Sequence, residues 1–454
     1  MSFPRYPAYR DSGVEWLGTV PGHWMIDRLK WSTVSSKNGV WGDEAKQDAN
    51  DIPCVRVADF DRQRLRVELD EPTIRNILGS ERVGRVLKQG DLLLEKSGGG
   101  EGQPVGCVVL YDDQLPAVCS NFVARVQTAP GMYSSFWRYV HAAAYAVRLN
   151  TRSIKQTSGI QNLDASQYFD ERAAFPPLPE QTQIAAFLDL ETAKIDALVA
   201  EQEKLIALLK EKRQAVISHA VTKGLDPSVP MKHSGVDWLG ELPADWEVRT
   251  IAKVSTKITN GFVGPTRDIL VDVGTPYVQA THIKRGRVNF DDGYFVRPDW
   301  STAHAKSILC EGDVLIVQTG AGTGDVGLVS AREVGYNCHA LIIVAPDGSL
   351  LHGAFLSAVL QSTYGQEKLT SIETGAMHPH LNCGEVKFVE VPLPPRDEQQ
   401  GIVTYIATVV HRYDLLTAEA QRAIDLLQER RTALISAAVT GKIDVRGLTA
   451  LETA

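Results

Sequence analysis

FPPLPEQTQIAAFLD at residues 175–189 and VPLPPRDEQQGIVTYI at residues 391–406 are two versions of one passage, about 218 residues apart. In each, prolines hold the chain extended up to a glutamate-glutamine pair, and a long stretch without proline follows. Pro177 and Pro179 bar a helix before them, Glu180 adds negative charge to the first turn, and the next proline is Pro227. Apolar residues then recur at Ile184, Leu188, Ile195, Leu198, Leu205, Leu209 and Val216, with Glu191, Gln202 and Lys212 at the remaining heptad positions. The second copy offers Ile402, Ile406, Val409, Tyr413, Leu416, Ala420, Ala423, Leu427 and Leu434. Both read as coiled-coil seams. At about 1.5 Å per residue, residues 180–222 make a rod on the order of 60 Å long. Two such rods most simply pack antiparallel, with the globular domain that precedes each at opposite ends of a pseudo-twofold dumbbell.

The repeat extends well beyond the prolines. SGVEWLG at 12–18 returns as SGVDWLG at 234–240, each followed by proline and tryptophan in VPGHW and LPADW. GDLLLEKSGG at 90–99 matches GDVLIVQTGA at 312–321. Aligned without gaps, residues 180–226 and 398–444 share roughly 19 of 47 positions. A period near 220 residues is too long for a solenoid, so a whole domain-plus-helix unit is duplicated. Short β-type runs such as VGCVVLY, FVARVQ, DVLIVQT and HALIIVAP, separated by glycine, aspartate and proline turns, give each domain substantial sheet. The predicted fold is α+β: a first domain over 1–179, a helix over 180–226, a second domain over 227–395, a helix over 396–445 and a tail over 446–454.

Bulk properties narrow the function. At 454 residues the chain is too long for one core. Hydrophobic content of 44% and charged content of 22% are those of a soluble protein. No apolar run is long enough to span a membrane, and the start has no secretory pattern, which predicts a cytoplasmic location. Six scattered cysteines, without C-x-x-C or zinc-type spacing, read as reduced thiols and not as metal ligands. The net charge is -8, and no segment is basic overall. Phosphate binding therefore requires local clusters or a partner's positive charge.

Catalytic motifs are missing. There is no phosphate loop, no N-P-P-[YF], no G-x-S-x-G and no H-E-x-x-H. GTGDVG at 322–327 fits G-x-G-x-x-G, but the segment after it reads as strand where a dinucleotide site needs a helix. Met377-His378-Pro379-His380 reads as polar loop. Local basic clusters remain: Arg62, Arg64 and Arg66, which would share one face of a strand; Arg148, Arg152 and Lys155; and Lys284, Arg285 and Arg287.

With its paired P-L-P/E-Q helix starts, its two W-L-G-x-x-P-x-x-W segments, its GDLL and GDVLI turns and its matching helix ends RQAVISHAVTKGLD and RTALISAAVTGKID, the chain resembles the specificity subunit of type I restriction-modification systems. The resemblance covers nearly the whole length. It implies a non-catalytic DNA-binding subunit in which each domain is a target recognition domain. Each would read one half of a bipartite asymmetric site on double-stranded DNA, while the helices set the gap. Two modification subunits would dock on the helices, and restriction subunits would join through the complex. No cofactor is expected on this chain; S-adenosylmethionine for DNA methylation, and ATP and Mg, belong with the partners. On this reading the basic clusters contact phosphates, and loops bearing Lys96, Ser97, Gln156 and Ser158, then Gln318, Thr319 and His378, meet base edges. A coiled-coil scaffold with protein- or glycan-binding sheet domains also accounts for the repeat and the acidic charge.

Overall fold

The computed structural model of the chain describes residues 3–100, 102–157, 159–291, 293–375 and 379–448. It divides into two compact units, Met1–Glu203 with Gln421–Ala454, and Lys204–Ala420. The division falls within both long helices, which run Leu178–Lys223 and Arg396–Val439. Each unit is thus a sheet domain with one half of each helix.

Both units use the same frame. The first has a six-stranded sheet in the order Thr33–Asn38, Val123–Thr128, Asp91–Glu95, Val108–Tyr111, Arg66–Val67, Phe60–Asp61. The second repeats it as Ser255–Asn260, Leu341–Pro346, Val314–Val317, Val326–Leu328, Gly286–Val288, Ile283–Lys284. In both, the fourth and fifth strands are the single parallel pair. Both also shift register in the outermost long ladder, at Gln127/Thr128 and Ser255/Lys257.

The Gly-Asp turns start the central strands for a local reason. Gly90 and Gly312 take φ of 92° and 87°, left-handed values that favour glycine. The following aspartate closes the turn, Asp91 accepting from Lys88 N at 2.7 Å and Asp313 from Cys310 N at 2.9 Å. The strands that follow are apolar on consecutive residues because both their faces are covered. Leu92 and Leu94 enter one core and Leu93 another; Val314 and Ile316 enter one, Leu315 and Val317 another.

One core of each unit takes in the long helices. In the first unit, Ile184 and Leu188 from the start of one helix join Leu434, Ile435 and Ala438 from the end of the other. In the second, Ile217, Ala220 and Val221 join Ile402 and Ile406. Within each unit the helix segments are therefore antiparallel. Arg431 Nε lies 3.4 Å from Asp196 Oδ1, and Arg213 Nε lies 3.5 Å from Asp414 Oδ1.

The seam differs from its sequence reading by one row. Ile184, Leu188, Ile195, Leu209, Ile402, Ile406 and Leu434 are buried, and Val216, Tyr413 and Leu427 half-buried. Leu198, Leu205 and Leu416, however, are 52%, 42% and 43% exposed. The second row of the seam is instead Thr192, Val199, Ile206, Arg213 and Ala220, matched by Val410, Thr417, Ile424, Arg431 and Ala438. Leu198 and Leu205 sit beside Val199 and Ile206, so apolarity alone picks neither row. The true row carries Thr192 and Arg213, whose polarity hid it until their partners Leu188 O and Asp414 were in place.

Candidate functional site

The glutamate-glutamine pair seen in the sequence fixes each domain to its helix. Trp24 Nε1 donates to Glu180 Oε2 at 3.0 Å, and Trp246 Nε1 donates to Glu398 Oε2 at 2.9 Å. Gln181 Oε1 accepts from Tyr133 N at 2.9 Å while its amide donates to Pro176 O, and Gln399 makes the same pair with His352 N and Pro394 O. Tyr133 and His352 precede the domain helices Ser134–Ala146 and Gly353–Gln361, so two residues of the long helix set the angle of the domain. The shared frame ends at the far end of the central strand, where the two units diverge.

In the first unit that strand ends at Glu95 and runs into a three-stranded sheet of Ser97–Gly98, Ile160–Leu163 and Ile154–Thr157. The register brings Ser97, Asn162 and Lys155 into one row across it. Ser97 Oγ donates to Asn162 Oδ1 at 2.6 Å, and Lys96 Nζ donates to Asn38 Oδ1 at 2.7 Å. Lys155 is exposed and donates to Asp164 Oδ2 at 2.7 Å, which holds the Asp164 carboxyl below the usual carboxylate range. The next row joins Gly98, Gln161 and Gln156, with Gln161 turned inward to accept from Val105 N. Segments 96–97 and 155–156, some 60 residues apart in the chain, thus share one polar sheet. Asn162 at its centre was not among the sequence candidates; its only signal was a polar residue between Gln161 and Leu163.

In the second unit the matching strand ends at Val317, and among the described residues single bridges, Thr319 to His380 and Thr374 to His380, stand where the first unit has that sheet. Gln318 O accepts from Leu381 N at 2.9 Å, while Gln318 Oε1 is buried without a partner among the described residues. Here His380, with Thr374, lies against the Gln318–Thr319 segment. Ser158 and His378 lie outside the described residues. GTGDVG is followed by the strand Val326–Leu328 and not by a helix.

The basic clusters do not behave alike. Arg62, Arg64 and Arg66 do not share one strand face: Asp61 pairs with Arg66 across a hairpin whose turn is 62–65. Asp61 Oδ1 accepts from Gln63 N and Arg64 N, and Leu65 takes φ of 57°, which bends the run that alternation had left straight. Arg62 turns inward to Glu95, which is 1% exposed, at 2.8 Å. Arg148, at φ 59°, donates to Gly102 O at 3.4 Å, and Arg152 reaches Glu15 at 3.7 Å. Lys284, Arg285 and Arg287 lie exposed on a hairpin of the second unit. Among the described residues no cluster of three or more His, Cys, Asp or Glu residues is placed to hold a metal ion, and no helix is long and apolar enough to cross a membrane.

Comparison with known proteins agrees with this geometry. Residues 243–424 match the family model described as "Type I restriction modification DNA specificity domain". The chain is 25% identical over 338 residues to the type I restriction enzyme EcoBI specificity subunit of Escherichia coli, covering 72% of this chain and 70% of that protein. It is 21% identical over 313 residues to the MjaVIII specificity subunit of Methanocaldococcus jannaschii, covering 67% and 70%. Among solved structures, a chain from work on complex assembly and conformational transition of the type I R-M system superposes with a TM-score of 0.69 at 17% identity, covering 92% of this chain and 98% of that one. The HsdS subunit of Thermoanaerobacter tengcongensis gives 0.50 at 17% identity, covering 93% and 98%. Residues 243–424 thus match a type I restriction modification DNA specificity domain, and the sheet frame they carry is built once more before them in the chain.

Proposed function

We propose that this chain is the DNA sequence-recognition subunit of a type I restriction-modification complex and does no catalysis itself. Each sheet domain reads one half of a bipartite asymmetric site, and the helices set the gap and dock two modification subunits. Restriction subunits join through that complex; S-adenosylmethionine, ATP and Mg are bound by the partners, in the cytoplasm. The supporting observation is that two like sheet frames diverge where their central strands end: a polar three-stranded sheet around Ser97, Asn162 and Lys155 in one, a bridged loop around Thr319 and His380 in the other. One frame with two different polar ends suits two different half-sites.

Methylation mapping of DNA from cells carrying this chain with its modification subunit tests the reading. The expected result is one discontinuous, asymmetric motif that disappears when this chain is deleted. A continuous motif, or methylation unchanged by the deletion, would sink it.

A further inference from the structure

We propose that the hairpin Lys284-Arg285-Gly286-Arg287 is the phosphate-binding element of the second unit, and that its counterpart in the first unit is not one. The inference rests on the DNA-recognition reading above and assigns the electrostatic grip unequally between the domains.

The two hairpins occupy corresponding edges of the two six-stranded sheets, each led by a strand that pairs antiparallel and then meets the parallel neighbour. Their charges are arranged oppositely. In the first unit, Asp61 faces Arg66 across the ladder, an attractive pair. Arg62 is paired with Glu95 at 2.8 Å, Arg64 lies 3.6 Å from Asp61 and 3.5 Å from Glu68, and Arg66 is 2.5 Å from Asp112. Each of the three guanidiniums thus has a carboxylate partner within its own unit. In the second unit the facing pair is Lys284 and Arg287, two like charges directly opposite, which weakens a ladder. Arg285 adds a third cation in the turn. All three side chains are exposed, and none has an ion pair among the described residues.

The backbone points the same way. Arg285 and Gly286 take φ of 53° and 79°, the left-handed turn that favours Asn-Gly. An arginine at the first of these positions is strained, so its presence has no explanation in the stability of the turn. The turn also lies against the body of the domain. A Cβ on Gly286 would meet Gln361 Oε1 at 2.3 Å, and Ile283 beneath is 1% exposed. Three cations without an ion pair among the described residues are free to meet a duplex, which presents about one phosphate per 1.7 Å of axis.

The test uses the complex of this chain with its modification subunit on duplex DNA carrying the mapped site. In the variant Lys284→Ala/Arg285→Ala/Arg287→Ala, the slope of log K against log salt should shrink by about 0.9 for each phosphate no longer engaged, so by about 2 to 3, with the recognised bases unchanged. Arg64→Ala/Arg66→Ala should leave the slope as it is. An unchanged slope in the triple variant, or an equal reduction in the Arg64/Arg66 pair, overturns the inference while wild-type sequence-specific binding leaves the broader reading standing. Absence of sequence-specific binding by the wild type would count against that reading instead. If the triple variant fails to fold, Arg285→Asn decides: it should melt at a higher temperature yet show a slope smaller by about 0.9, and a full slope overturns the assignment.

Discussion

Trp24 and Glu180 form a hydrogen bond of 3.0 Å that is repeated between Trp246 and Glu398 at 2.9 Å, so the same two-residue clamp seats both sheet domains on their helices. Trp246 is fully buried, and its indole N–H donates to the Glu398 carboxylate. Glu398→Ala should therefore cost about 1–3 kcal/mol, the penalty for stranding a buried donor. Urea titration of the full chain measures it. A change below about 0.5 kcal/mol would mean that water replaces the carboxylate and the clamp is dispensable.

The two helix-to-helix ion pairs should not be equal. Asp196 and Arg431 have side chains 16% and 10% exposed, whereas Asp414 is 43% exposed beside Arg213. Asp196→Ala leaves a buried guanidinium uncompensated and should cost about 2–3 kcal/mol; Asp414→Ala should cost under about 1 kcal/mol. Equal destabilisation in denaturant titrations of the two variants would refute the ranking.

His141 gives the first unit a pH dependence. It is fully buried, its Nδ1 is 2.8 Å from Tyr168 Oη, and burial pushes its pKa down to about 4. A folded pKa below the ordinary value of about 6.5 means the stabilisation is complete above pH 6.5 and lost as pH falls toward 4, by roughly 3 kcal/mol. The matching residue of the second unit, by alignment of Phe136 with Phe355, is Leu360. His141→Leu should flatten the decline between pH 6.5 and 4.5 in melting experiments; a curve parallel to wild type would place the acid sensitivity elsewhere.

The polar row of the first unit predicts a one-sided change of specificity. Asn162→Ala removes the acceptor of Ser97 and the centre of the row. Methylation mapping of that variant should show relaxed or altered bases in one half-site, with the other half and the gap intact, at about 1–3 kcal/mol for each base no longer read. Changes in both halves would argue that the row acts through the whole fold.

Inserting seven residues near Ala200 and seven near Leu427 keeps the heptad phase and lengthens the pair by about 10 Å. The preferred gap should grow by about three base pairs at 3.4 Å each, with both half-sites kept. An unchanged gap in the mapped motif would dismiss the helices as the ruler.

Much of this architecture was legible in the sequence because duplication wrote it twice. The prolines, the glutamate-glutamine pair and the Gly-Asp turns act on their immediate neighbours through fixed backbone angles and short hydrogen bonds, so position along the chain is enough to read them. The tryptophans of VPGHW and LPADW were visible as a repeat, but their acceptors lie more than 150 residues away and only folding brings them together.

What sequence determined alone was the repeated unit, the helix starts and the two-domain plan. What only the tertiary structure decided was pairing. It chose Val199 over Leu198 for the seam, because burial depends on which face meets the partner helix. It bent the Arg62–Arg66 run into a hairpin and gave its arginines carboxylate partners, while leaving Lys284, Arg285 and Arg287 without ion pairs among the described residues. Charge is written in the sequence, but its compensation depends on distance, and the distances between residues far apart in the chain are set only when the strands find their register.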